Sequence, residues 1–202
     1  MGVEERNNLY PIFLKVHVLN VLIIGGGKVG LEKLGFLLKS SPNATVQVVA
    51  LRFKDALKEL AAKHQVVLIA EAYHSRFLEN QHLVIAATDD VVVNKQIYTD
   101  AKAQNTLVNV ADTPDYCDFY LGGIVTKGHV KIAISTNGKS PTTAKRLRQY
   151  FEEVLPDNIN EMVQNLNRYR NAIKGDFAEK VDRLNKLTEE LSSRVKSEKL
   201  KD

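Results

Sequence analysis

Short, continuous apolar runs alternate along the chain with stretches whose apolar residues recur every three to four positions. Asn20–Gly26 ("NVLIIGG") is an apolar run ended by glycine and reads as a buried strand. Lys28–Lys39 places Val29, Leu34, Leu37 and Leu38 at helical spacing, and "SSPN" stops it. "ATVQVVAL" is a second strand, and "FKDALKELAAKH" a helix with Leu57, Leu60 and Ala61 on one side. "VVLIA" is a third strand, "SRFLEN" a short helical turn and "HLVIAAT" a fourth strand. Asp90–Gln104 is helical with Val93, Ile97 and Ala101 inward, and "TLVNVA" is the fifth strand. Strand and helix in alternation force parallel strands with helices packed on the faces. The strands are apolar throughout, which fits a sheet covered on both sides.

After Asp112 the pattern changes. "DFYLGGIVTKGHVKIAIST" reads as two strands around "KGH", a hairpin in which Gly128 is free to take positive φ. "GKSPTTAKRLRQYFEEVL" opens a helix, with Ser140 as N-cap and Pro141 at the first helical position. "LPDN" breaks it, and Asp157–Ser197 is charged and helical, interrupted near Gly175. The pattern predicts an α/β fold: a doubly wound parallel sheet, then a small hairpin-containing region, then a helical C-terminal region.

Composition narrows the class. Hydrophobic residues make up 44% of the 202 residues and charged residues 26%, an ordinary soluble balance. No apolar run approaches the roughly 20 residues of a membrane span. "MGVEER" lacks the order of a secretory leader, and Arg6 stands where myristoylation needs Ser or Thr. The expectation is a cytoplasmic protein with no membrane partner. The single cysteine, Cys117, excludes an internal disulfide and reads as a plain loop thiol. The net charge is +4, which suits an acidic small ligand. From Thr142 onward there are 13 Lys or Arg against 11 Asp or Glu, too mixed for a nucleic-acid arm.

The chemistry starts at "GGGKVG". Gly25, Gly27 and Gly30 form G-x-G-x-x-G between a strand and a helix, inside a βαβ unit. In a dinucleotide site the first glycine permits the tight turn, the second lets a pyrophosphate approach, and the third lets helix and strand pack closely. The helix N-terminus attracts phosphate, and Lys28 adds a mobile cation. The carboxylate that usually holds the ribose is missing. Arg52 stands near the end of the second strand, and the nearest acid, Asp55, falls in the next helix. The motif alone leaves NAD and NADP open.

Other candidates stand at the ends of later strands. "AATDD" puts Thr88 and Asp89 at the carboxyl edge of the fourth strand, with Asp90 as a competing N-cap. "VNVADTPD" puts Asn109 and Asp112 at the same edge of the fifth. Asp112 reads either as a general base or as ordinary turn chemistry. No His or Cys cluster has metal-ligand spacing, and His129 reads as a surface residue.

Taken together, "NLYPIFLKV", "VLIIGGGKVGLEK", "VIAATDD", "VNVADTPDYCDF" and "KIAISTNGKSPTTAKRLR" resemble the siroheme synthase N-terminal family. Its members are precorrin-2 dehydrogenases, some of which also act as sirohydrochlorin ferrochelatases. The resemblance implies a homodimer with a Rossmann-like NAD-binding domain over residues 1–113, a dimerisation region over 114–150 and a helical region over 151–202. It implies NAD-dependent oxidation of precorrin-2, a reduced tetrapyrrole ringed with carboxylates, with Fe²⁺ as a further substrate where chelation occurs. It assigns catalysis to Asp112. It places cofactor contacts on Gly25, Gly26, Gly27, Lys28, Val29 and Gly30 and on Leu51 and Arg52, beside Thr88 and Asp89. Since the family binds NAD without an acid at Arg52, the missing carboxylate ceases to favour NADP. Asn109 and the loop residues Ser135, Thr136 and Ser140 are the substrate candidates. Lys127, Lys131, Lys139, Lys145, Arg146 and Arg148 are cationic candidates for the substrate's carboxylates. Longer relatives carry a fused methyltransferase region, and the expectation here is that a separate protein methylates. A nucleotide-sensing Rossmann module without catalysis is the rival reading, and an NADP-dependent reductase, resting on Arg52 alone, a third.

Overall fold

The structure is a computed structural model that describes residues 7–174 and 176–197, with side chains described up to residue 189. Gly175, the expected interruption of the C-terminal helix, and the first six residues lie outside the described residues.

Five parallel strands form the central sheet in the order β3-β2-β1-β4-β5. They are β1 Asn20–Ile24, β2 Thr45–Val49, β3 Val67–Ile69, β4 Leu83–Ala86 and β5 Leu107–Val110. The chain runs outward from β1 to β3, returns to the other side of β1 as β4, and continues to β5. The strand order therefore reverses between β1 and β4, where ligands enter open α/β sheets. The strand ends are level: Ile24 pairs with Val49 and with Ala86, and Ala86 pairs with Val110. Ala50, Gly25, Ala87 and Ala111 thus follow one another across the carboxyl edge.

Both faces of the sheet are covered, which is why the strands are mostly apolar, with Asn20, Thr45, Gln47 and Asn109 as the polar exceptions. Val21 and Ile23 face one core with Leu34 and Leu38 of α1 (Lys28–Ser40) and Leu57 of α2 (Asp55–His64). Leu22 and Ile24 face the other with Leu78 and with Ile97 and Ala101 of α3 (Val91–Ala103). Leu34 is fully buried, and its replacement by alanine would cost about 3 kcal/mol in lost transfer energy and residual cavity. The α/β class read from the pattern is borne out. The differences are at ends: α2 starts at Asp55 rather than Phe53, and the tail helix starts at Ile159 rather than Asp157. The tail divides into α5 Ile159–Ala172 and α6 Phe177–Ser197, on either side of the interruption expected near Gly175.

The chain separates into two compact units. One holds the described residues up to Gly123 together with Ile134–Lys145. The other holds Ile124–Ala133 and the described residues from Arg146 onward. In the second, β6 (Gly123–Lys127) pairs with β7 (Val130–Ile134) around Gly128, which has φ +58 as the hairpin requires. Lys127 Nζ donates to the Leu155 carbonyl and pairs with Asp157 at 2.9 Å, fastening the hairpin to the end of α4 (Pro141–Val154). α4 buries none of its residues, and Leu147, Tyr150 and Val154 remain exposed along it.

Candidate functional site

The three glycines of the fingerprint do three different jobs. Gly25 has φ +127, and a β-carbon on it would meet the Ala87 carbonyl oxygen at 2.3 Å. Its N–H donates to Val49 O at 2.9 Å, carrying the β1–β2 ladder one residue past the strand. Gly30 packs back on Gly25. Gly27 differs from both: it is exposed and nothing lies within 4 Å of where its β-carbon would be. Gly27 is the N-cap of α1, no side chain caps that helix, and its first turn holds no acid. Free N–H groups, a partial positive charge and open space therefore coincide at Gly27 and Lys28. These residues fit a pyrophosphate. Gly26 is buried, and a β-carbon on it would strike the Arg52 carbonyl oxygen at 2.1 Å, so it docks the β2 loop rather than facing the open side. Val29 is half-buried behind it.

The loop after β2 exposes Leu51 (72%) and Arg52 beside this turn. Asp55 begins α2 and pairs with Lys58 at 2.9 Å, so no acid stands where a ribose carboxylate would.

At the end of β4, Thr88 is locked to Asn94. The Asn94 side-chain oxygen accepts from Thr88 Oγ1 at 2.7 Å and from Thr88 N–H at 3.3 Å, and its amide donates to Thr88 O at 3.0 Å. Asp89 is exposed in the loop so held. Asp90 is the N-cap of α3, accepting from Val92 and Val93 N–H. Asn94 was missed in the sequence. The one available signal was a polar residue at an inward position of the α3 pattern.

Asp112 follows β5 in the left-handed region, with φ 57, and its side chain is exposed. Such a conformation costs a residue with a β-carbon about 1–2 kcal/mol, and strained corners of this kind concentrate at functional sites. Asn109, expected on the same edge, is instead 6% exposed and donates to Phe119 O at 2.8 Å and to Cys117 Sγ at 3.4 Å. The two residues of "VNVAD" are thus separated by direction: Asn109 braces the following loop, and Asp112 leaves the fold. Asp118, also missed, continues the brace by accepting from Val108 N–H at 3.1 Å and pairing with Lys102 at 2.7 Å. Burial pushes the Cys117 thiol up from its ordinary range, so it is a hydrogen donor and not a nucleophile.

In the loop from β7 to α4, Thr136 Oγ1 accepts from Ser140 N–H at 3.2 Å, Ser135 Oγ accepts from Asn137 N–H at 3.1 Å, and Ser140 Oγ accepts from Thr143 N–H at 3.2 Å. Ser140 is the helix cap the pattern predicts. Among the basic candidates, Arg148 pairs with Glu152, Arg146 Nη1 donates to Gln149, and Lys127 is held as described. Lys145 is exposed at the start of α4. His129 is exposed at the hairpin turn.

A family model described as putative NAD(P)-binding matches residues 12–123. The chain belongs to that family. A second model, described as sirohaem biosynthesis protein central, matches residues 127–153. The siroheme synthase of Pseudoalteromonas translucida is 39% identical over 173 residues, which is 86% of this chain and 36% of the relative. The siroheme synthase of Actinobacillus pleuropneumoniae serotype 3 is 35% identical over 87% of this chain and 36% of the relative. The chain therefore spans about a third of the length of the curated relatives it matches. Among solved structures, "SirC, precorrin-2 dehydrogenase" has the same fold, with a TM-score of 0.71 over 89% of each chain at 24% identity. The siroheme synthase resemblance read from the motifs is borne out by these matches.

Proposed function

We propose that this chain is a precorrin-2 dehydrogenase, oxidising its substrate to sirohydrochlorin with NAD as the hydride acceptor. The observation that carries the reading is Asp112, an exposed carboxylate held in the left-handed region on the sheet edge that also bears the glycine turn. The relatives named siroheme synthase and the fold shared with a precorrin-2 dehydrogenase supply the substrate class. Gly27, Lys28 and the N-terminus of α1 would hold the pyrophosphate, and Leu51 and Arg52 would border the adenosine half. Bound NAD would supply the hydride acceptor. Asp112 takes the proton that leaves the tetrapyrrole as the hydride departs, so one positioned base completes the two-hydrogen oxidation. Ser135, Thr136, Lys139 and Lys145 meet the substrate's carboxylates around the start of α4.

The same reading extends to assembly, metal and location. A second copy of the chain covers the exposed Leu147, Tyr150 and Val154 of α4, giving a homodimer. Fe²⁺ enters as a second substrate inserted into the product macrocycle, and the two displaced pyrrole protons leave one after the other through Asp112, which passes each to water. Among the described residues no helix is long and apolar enough to cross a membrane, and the proposed location is the cytoplasm.

The test is anaerobic turnover of precorrin-2 with NAD or NADP, following NADH and the tetrapyrrole spectrum, then Fe²⁺ added to the product. Asp112→Asn is the control. It should lower kcat roughly a hundredfold or more while NAD affinity stays the same. Dinucleotide binding without turnover by the native chain would instead favour a sensing module.

A further inference from the structure

The corner that carries Asp112 is closed by atoms on both sides of it. Thr113 N–H donates to Val110 O at 3.2 Å, which makes Ala111 and Asp112 the two central residues of a turn. Asp112 has φ 57 and Ala111 has no positive φ, so Asp112 occupies the place that such turns give to Gly or Asn. The Ala111 N–H is tied to Ala86 O on β4 at 2.9 Å. On the other side stands Cys117. Its Sγ lies 3.3 Å from Val110 O and 3.3 Å from Thr113 O, the carbonyls that flank the corner. Both oxygens are within reach of the single S–H hydrogen. The same sulfur accepts from the buried amide of Asn109, which is itself fixed to Phe119 O. Tyr116, next to Cys117, stacks on Tyr98 of α3 with ring centres 4.6 Å apart. The thiol therefore cannot drift from the turn without dragging two anchored neighbours.

We propose that Cys117 is a positioning residue for Asp112: its thiol staples the carbonyls of Val110 and Thr113 and so keeps the carboxylate aimed out of the fold. This rests on the reading of Asp112 as the base. The staple needs the hydrogen on sulfur, which an ordinary thiol already keeps at neutral pH, and burial pushes its ionisation further up. The thiol takes no part in proton or hydride transfer.

The experiment compares the full-length Cys117→Ala, Cys117→Ser and Asp112→Asn proteins and the Cys117→Ala/Asp112→Asn double variant. For each, kcat and KM for precorrin-2, the Kd for NAD and the thermal midpoint are measured. Cys117→Ala should lower kcat roughly ten- to a hundredfold, the scale of a misplaced catalytic group, with the NAD Kd unchanged. Cys117→Ser, whose hydroxyl donates to the same carbonyls, should recover most of the rate. In the Asp112→Asn background the alanine change should remove nothing further; where that background has no measurable rate, recovery by serine decides. Native kcat in Cys117→Ala would overturn the proposal. So would a serine variant as slow as the alanine one, or a rate loss that tracks a loss of NAD affinity and thermal midpoint. Native turnover by Asp112→Asn would instead remove the base reading beneath it. An inactive Asp112→Asn with a fully active Cys117→Ala defeats the staple alone.

Discussion

A β-carbon placed on Gly30 would lie 2.0 Å from the carbonyl oxygen of Gly25. The first turn of α1 is thereby pressed onto the backbone that ends β1, and the partner is a backbone atom that cannot swing away. Gly30→Ala should destabilise the fold by about 3 kcal/mol, at the upper end of overpacking costs. Gly27→Ala should behave in the opposite way. Its φ of −85° suits alanine, and the entropy gained from a stiffer unfolded chain offsets the poorer N-cap to within about 1 kcal/mol. Its NAD affinity should nevertheless fall at least about tenfold, because a methyl would fill the space a pyrophosphate needs. Denaturant melts and NAD titrations of the two variants separate these effects. Equal NAD affinity in Gly27→Ala and the native protein would remove Gly27 from the cofactor site.

The Asn94 amide closes a ring of three hydrogen bonds with Thr88 and is 9% exposed. Asn94→Leu fits the volume but strands the Thr88 backbone groups. Stability should drop by about 2 kcal/mol, the cost of leaving a buried polar group unpaired. The Thr88–Asp89 loop should loosen and NAD should bind more weakly. If chemical denaturation shows the loss while NAD titration shows none, Thr88 and Asp89 do not touch the cofactor.

Tyr73 donates its hydroxyl hydrogen to Asp100 at 2.9 Å. Burial first, and the Asp100 carboxylate second, push its ionisation well above the ordinary phenol range. The folded state therefore keeps the proton longer than the unfolded chain. This contribution is complete below the unfolded phenol's pKa, near about 10, and is lost as pH rises beyond it. Tyr73→Phe should lower stability by about 1 kcal/mol at neutral pH. It should also flatten the fall in melting temperature above about pH 10. A variant with an unaltered alkaline slope would show that other groups set it.

Legibility in the sequence followed the range of the interaction. The glycine turn, the Asp90 cap and the Ser140 cap were readable because each is made within a few residues of itself. Asn94 closes on Thr88 through the start of a helix, and its inward direction shows only once α3 lies on the sheet. Asn109 and Asp112 illustrate the limit most clearly. Both fall at the end of β5, and the apolar residues around Asn109 look the same whether its side chain points into the fold or along the edge.

The order of apolar runs and helical periods determined a doubly wound sheet, because parallel strands buried on both faces demand that pattern and few arrangements satisfy it. The glycine spacing determined the tight turn where the proposed phosphate site lies, since Gly25 and Gly30 leave no room for a β-carbon. Tertiary structure alone decided that Asn109 braces the loop after β5, that Asp118 meets Val108 and Lys102, and that Cys117 closes the Asp112 corner. These contacts depend on where a loop returns after leaving its strand. That return is set by packing summed over the whole unit, which no local window of sequence contains.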